Sequence, residues 1–260
     1  MALTVNNLIG DLTGFPVFAG GGPRLLAFAT PDEIDVADGN LSSFPWGVWG
    51  LDGNDTIGGS SDSNERLLGN NGNDIIGGGG GNDIIYGGKD NDRLDGNDGN
   101  DLVRGDAGND IIFGGFGNDI LRGGQGDDDL DGNEGNDFLA GDRGVDVLTG
   151  GSGADIFVLR SNDEAFGING ADVITDFNFD QGDRIGLTDG LTELDLLFTD
   201  DNLIGYDNDG IIDDMVVFNR RDGRILGVIL DADNFELVGA FEQASPFALA
   251  VNGSQFQFLA

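Results

Sequence analysis

Residues 77–101 read GGGGGNDIIYGGKDNDRLDGNDGND. Nine of these 25 residues are glycine and six are aspartate. Glycine loses the most backbone freedom on folding, and dense negative charge opposes collapse, so composition alone argues for an unordered chain. A regular apolar beat runs through the stretch, however, with Ile85 and Leu94 nine residues apart. The reading of the molecule turns on whether that beat continues.

It continues from Gly69 to Val158 as ten unbroken nonapeptides, from GNNGNDIIG to GGSGADIFV. An eleventh, GLDGNDTIG, spans 50–58 and is separated by a degenerate unit, GSSDSNERLL, that keeps an apolar Leu67 but lacks the aspartate. The sixth position is aspartate in all eleven: Asp55, Asp74, Asp83, Asp92, Asp101, Asp110, Asp119, Asp128, Asp137, Asp146 and Asp155. The eighth is always a large apolar residue, from Ile57 to Phe157. A fixed period of this length is the mark of a solenoid.

Glycines supply the left-handed backbone conformations that tight turns need. In the short strand that follows, side chains alternate, so position eight faces inward and positions seven and nine face out. Two units to a coil, the arrangement implied by the nonapeptides' resemblance to the repeats-in-toxin (RTX) repeat, would bring aspartates of units i and i+2 together. One stack then holds Asp74, Asp92, Asp110, Asp128 and Asp146, and the other holds Asp83, Asp101, Asp119, Asp137 and Asp155. Carboxylates one strand spacing apart, about 4.8 Å, repel unless neutralised. A hard divalent cation with six to eight oxygen ligands suits carboxylates and carbonyls together, which points to Ca²⁺ over Mg²⁺. Ions held between units i and i+2 number 10 − 2 = 8 in the unbroken run, with the 50–58 unit as a further candidate. One inward side chain per nine residues is too little to order the chain alone, so the repeats are expected to fold on binding calcium.

The wider composition narrows the function. The chain has 48 acidic and 12 basic residues, for a net charge of −36. Such a chain repels nucleic acid and anionic membrane and expects a cationic partner. With no cysteine, there are no disulfides, thiolate metal sites or cysteine nucleophiles. With no histidine, the commonest general base and zinc ligand are gone. No stretch is long and apolar enough for a membrane span, and MALTVNNLIGDLTGFPVF lacks the basic and apolar regions of a Sec signal.

The nonapeptides resemble the repeats-in-toxin (RTX) calcium-binding repeat, G-G-x-G-x-D-x-U-x with U large and apolar. That resemblance implies an all-β, right-handed parallel β-roll in which a six-residue turn precedes a three-residue strand. It covers 50–158. Residues 1–49, with the runs RLLAFAT and DEIDV and the tryptophans Trp46 and Trp49, are expected to form an irregular N-terminal cap. Residues 159–260 are expected to form a β-rich C-terminal cap and secretion region. Here Asp172, Ile174, Asp176, Phe177, Gly182, Asp183, Ile185 and Leu187 look like the segment that follows the roll in secreted RTX proteins, and ILGVILDADNFELVGAFEQ resembles cyanobacterial members. Asp209-Gly210 and Asp222-Gly223 read as hairpin turns.

The resemblance further implies export by type I secretion machinery and a secreted or cell-surface location. The reading favours a non-catalytic surface, matrix or filament component. An RTX-linked secreted enzyme and a plain calcium-buffering or secretion module are the alternatives. At position seven one sheet carries Ile75, Arg93, Ile111, Asp129 and Val147, a mixed face. The other carries Ile84, Leu102, Ile120, Phe138 and Ile156, an apolar ladder that needs a cover. The chain's own terminal regions supply that cover in one reading, and self-association of subunits supplies it in the other.

Overall fold

The computed structural model describes residues 47–160, 170–188 and 215–230, together with 2–4, 25–26, 31, 33–35, 196–200 and 241–243. The strands fall alternately into two sheets, and among the described residues there is no α-helix. Sheet A has 12 strands and sheet B has 10.

From Gly69 to Val158 neighbouring pairs are parallel and offset by 18 residues, and at the 50–58 unit the offset is 19. In sheet A, Ile75 lies opposite Arg93, then Ile111, Asp129 and Val147. In sheet B, Ile84 lies opposite Leu102, then Ile120, Phe138 and Ile156. Two nonapeptides therefore make one coil, and the two sheets face each other across a single core. Position eight fills that core. Ile57, Ile76, Leu94, Ile112, Leu130 and Leu148 align in sheet A, while Leu67, Ile85, Val103, Leu121, Leu139 and Phe157 align in sheet B, all buried.

The strands are longer than the sequence reading expected. Ile111–Phe116 and its equivalents have six residues, so only three residues of each unit turn the corner. Pairing continues through positions two and three of the next unit and skips the glycine at position one, as where Arg104 pairs with Tyr86 and Asp106 with Gly88. A glycine-glycine pair looks like a turn in sequence, yet its amides and carbonyls still bond to the next coil. Position two takes a left-handed conformation throughout, and where it is not glycine it is usually Asn or Asp, as at Asn97 (φ 70°) and Asp106 (φ 76°). Those side chains tolerate that region best.

The sheets run on past the repeats at both ends. Glu33–Asp35 and Ala2–Thr4 extend sheet A, and Val48–Asp52 and Leu25–Leu26 extend sheet B. At the other end Asp172–Ile174 and Ile225–Ile229 continue sheet A in parallel, while Arg184–Leu187 and Phe241–Gln243 continue sheet B. Met215–Asn219 and Leu196–Asp200 then close sheet A with antiparallel pairs. The hairpin at Asp222-Gly223 is present, with Gly223 at φ 78° and its amide bonded to the Asn219 carbonyl at 2.7 Å. Asp209-Gly210 and Trp46 lie outside the described residues.

The two outer faces differ in exposure. On sheet B, Leu102 is only 2% exposed, and Ile84, Ile120, Phe138 and Ile156 are all half-buried. On sheet A, Ile75 is 53% exposed and Phe116 57%, with Ile111 and Val147 also exposed. The apolar ladder is thus less exposed than the mixed face, which carries the exposed Ile75, Ile111 and Val147.

Candidate metal centre

The aspartate at position six stands at the last corner before each strand, and its main chain is already committed. The carbonyl of Asp92, for example, accepts the amide of Ile111 at 2.9 Å. Its side chain turns inward, and all eleven such carboxylates are 3% exposed or less. Each is tied to the neighbouring coil in the same way. The amide of Asp74 donates to Oδ1 of Asp92 at 2.8 Å, Asp92 to Asp110 at 2.8 Å, and Asp110 to Asp128 at 2.8 Å. In the other column Asp83 donates to Asp101, Asp101 to Asp119, Asp119 to Asp137 and Asp137 to Asp155, at 2.6–2.8 Å. The two stacks read from the sequence are thus two continuous ladders, and Asp55 joins the first by donating to Asp74 at 2.7 Å.

That bond uses one oxygen. In Asp74, Asp83, Asp92, Asp101, Asp110, Asp119, Asp128, Asp137 and Asp155 the second oxygen, Oδ2, is buried and accepts no hydrogen bond. Leaving one buried carboxylate oxygen so costs about 1–3 kcal/mol, and here the arrangement repeats at every level. Each Oδ2 points at the position-one glycine of its own unit. A Cβ on Gly78 would lie 2.4 Å from Asp83 Oδ2 and 2.6 Å from the Gly96 carbonyl oxygen one coil on. Gly114 and Gly132 repeat the arrangement with Asp119 and Gly132, and with Asp137 and Gly150. Carboxylate and carbonyl oxygens thus converge where the glycine leaves room.

This donor set fits calcium. It is all oxygen, negatively charged and already stripped of water, and it draws on backbone carbonyls, as Ca²⁺ sites do. Among the described residues no three carboxylates gather at one point, so carbonyl oxygens must supply part of any coordination. Burial acts first on the charge, pushing the carboxyls well above the ordinary carboxylate range. Asp92 and Asp128 rise to about 8, Asp83, Asp101 and Asp137 to about 7, and Asp74, Asp110, Asp119 and Asp155 to about 6. The single backbone hydrogen bond pulls each back, and along most of the column neighbouring carboxylates push it up again. Such a column holds either protons or cations.

Three acidic residues that sequence reasoning did not place in the columns belong to them. Glu65, in the degenerate unit, donates its amide to Asp83 Oδ1 at 2.6 Å and so heads the second ladder. Its carboxylate accepts the Ser60 amide and the hydroxyls of Ser60 and Ser63. Protein donors therefore satisfy both its oxygens. At the other end Asp172 accepts the Asp146 amide at 3.1 Å, and Asp183 accepts the Asp155 amide at 2.9 Å. Connections of 26 and 28 residues hide both from a search at period nine. Nearby Asp176 accepts the amides of Gly150 and Gly151 at 2.8 and 2.7 Å, which closes the column end.

A second ladder runs alongside at position five, exposed. The amide of Asn91 donates to Asn73 Oδ1 at 3.0 Å, Asn109 to Asn91 at 2.8 Å, and Asn118 to Asn100 at 2.7 Å. These side chains reach towards the following coil, whereas the aspartates reach back to the preceding one. The signal for this ladder, asparagine before most of the aspartates, stood in the sequence unread.

A family model described as the RTX calcium-binding nonapeptide repeat matches four times, at 60–94, 86–121, 95–130 and 122–157. No curated protein matches this sequence. The four matches coincide with the coils that carry the two aspartate ladders, so residues 60–157 carry RTX calcium-binding nonapeptide repeats.

Proposed function

We propose that the two aspartate ladders are the calcium ligands of a folding switch, and that the protein is a non-catalytic structural component of the cell surface or extracellular matrix. The observation that carries the reading is the row of nine buried Oδ2 atoms without a hydrogen-bond donor. A cation between successive coils would be held by Oδ2 and by the position-one carbonyl one coil on. It supplies the positive charge that the ladders lack. Asp55, Asp146, Asp172 and Asp183 extend the ladders to both ends, which supports eight or more ions. Glu65, satisfied by protein donors, needs none.

Calcium is scarce inside cells and abundant outside, so a chain with these ladders stays unfolded until exported. The absence of cysteine suits passage as an unfolded thread, and the RTX family supports export by type I secretion machinery. The same acidic surface that would repel nucleic acid leaves calcium and basic surfaces as natural partners.

The test is far-UV circular dichroism of chelator-stripped protein titrated with calcium. A cooperative gain of strand signal, saturating at several ions per chain, is expected. Full strand content in chelator, unchanged by millimolar calcium, would sink the proposal. Location is read by fractionating the native host. A screen that found chelator-sensitive turnover of a polysaccharide or an ester would overturn the non-catalytic part.

A further inference from the structure

Among the described residues the exposed large apolar side chains all belong to sheet A: Ile75, Ile111 and Val147 on its outer face, and Phe116 at the end of its strand. Charge is divided just as unevenly. The five sheet A strands between Ile75 and Thr149 carry Arg93 against Asp95, Asp98, Asp129, Asp131 and Glu134, so +1 − 5 = −4. The five sheet B strands between Arg66 and Arg143 carry Arg66, Lys89, Arg104, Arg122 and Arg143 against Asp106 and Asp142, so +5 − 2 = +3. In a chain of net charge −36 this basic side is an anomaly. Part of it is used internally, since Arg122 bonds Asp142 at 2.5 Å and Arg104 bonds Asp106 at 2.5 Å. Arg66, Lys89 and Arg143 instead stand exposed along its length.

We infer that the outer face of sheet A docks onto the exposed basic side chains of sheet B in a second copy of this chain. This deepens the structural role proposed above and rests on that reading. Both faces are ruled at the same coil spacing, so their charges share one lattice. Asp98, Phe116 and Glu134 align across two coil steps, and Lys89 and Arg143 are three steps apart in sheet B. An acidic face calls for a basic partner, and sheet B offers exposed basic side chains on the same coil repeat. Two sheet A faces would instead oppose like charges. The contact joins different surfaces on the two copies, so it is head-to-tail and leaves both outer faces open for further growth.

The experiment is sedimentation velocity in millimolar calcium over a range of protein concentrations and salt, with circular dichroism on the same samples. Wild-type chains should assemble with concentration and dissociate as salt rises. F116S on sheet A and K89E/R143E on sheet B replace exposed side chains. Each should weaken association roughly tenfold or more, the effect of losing an anchor or reversing a complementary charge. Mixed together, the two variants each retain the surface the other lacks and should form a discrete one-to-one pair. A folded wild-type chain that stays monomeric at every concentration overturns the inference. So does wild-type assembly by K89E/R143E, or a mixture that gives no pair. Strand signal that persists in chelator would instead count against the calcium switch, and assembly would still be read separately.

Discussion

The backbone amide of Asp92 donates to Oδ1 of Asp110 across 2.8 Å, and the amide of Asp110 donates in the same way to Asp128. Each ladder aspartate from Asp74 to Asp155 thus holds a neighbour with Oδ1, and in the proposed switch Oδ2 is the oxygen that meets the cation. The first oxygen is structural, and the second is the one assigned to binding.

Asp110→Asn separates these duties. An asparagine can still accept the Asp92 amide through its oxygen, but it replaces a negatively charged ligand oxygen with an NH₂ group. The calcium midpoint for folding should rise several-fold, and the number of ions bound should fall. Asp129→Asn, on the exposed outer face of sheet A, should leave both unchanged. Isothermal titration of the two variants beside wild type checks this. Equal losses would mean that only total charge matters.

Glycine at position one is required for the space it leaves. A Cβ on Gly105 would sit 2.0 Å from Asp110 Oδ2, whereas a Cβ on Gly223 meets nothing within 4 Å. Gly105→Ala should therefore disrupt its level and raise the calcium requirement by about tenfold or more, equivalent to at least about 1.4 kcal/mol. Gly223→Ala carries only the strain of a left-handed alanine, about 1–2 kcal/mol, with calcium affinity unchanged. Thermal melts and calcium titrations on both variants distinguish the effects.

The raised carboxyls fix the sign of the pH dependence. Their folded values lie at about 6 to 8, above the ordinary 3.8, so the metal-free roll binds more protons than the unfolded chain between those limits. The stability that protonation contributes is full below about pH 4 and is lost as pH rises through about 6 to 8. In chelator, mild acid should restore strand signal that neutral pH abolishes. In calcium, apparent affinity should fall as pH drops from about 8 to 6, because protons compete for the same oxygens. Circular dichroism against pH in both conditions is the measurement. Equal strand content at acid and neutral pH in chelator contradicts it.

On sheet B, Asp142 accepts both the Nε and a terminal nitrogen of the buried Arg122 and also faces Arg160. Asp142→Asn leaves the left-handed backbone tolerable but strips the charge from beneath two arginines. Removing one partner of a buried ion pair costs about 3–5 kcal/mol. Chemical denaturation in saturating calcium should show that loss without a change in ions bound per chain.

The period of nine made the coil, the core column and most of both aspartate ladders legible, because each depends on side chains at fixed positions. Features carried by backbone or by broken spacing were not. The strands proved six residues long because glycine amides pair without any side-chain mark. Glu65 escaped a search for aspartate, and Asp172 and Asp183 escaped one at a fixed interval. The difference in exposure between the two outer faces was hidden for a related reason. Ile84 and Ile75 occupy the same position in their units, and only tertiary burial, which is not local to either, separates them.

Between Asn73 and Asn136 the opposed ladders give each coil the same two complementary ends. Towards its successor a coil presents the amide at position six and the acceptor at position five. The successor arrives with a carboxylate for the first and an amide for the second. Any coil therefore fits any other, and the molecule can gain or lose length in quanta of 18 residues without disturbing a bond elsewhere. Excising 96–113 would rejoin Asp83 to Asp119 and Asp92 to Asp128 in the same geometry. Excising nine residues would instead exchange the two faces beyond the cut, placing acidic side chains where basic ones stood. A gene for such a protein can lengthen by duplication, but only in pairs of units.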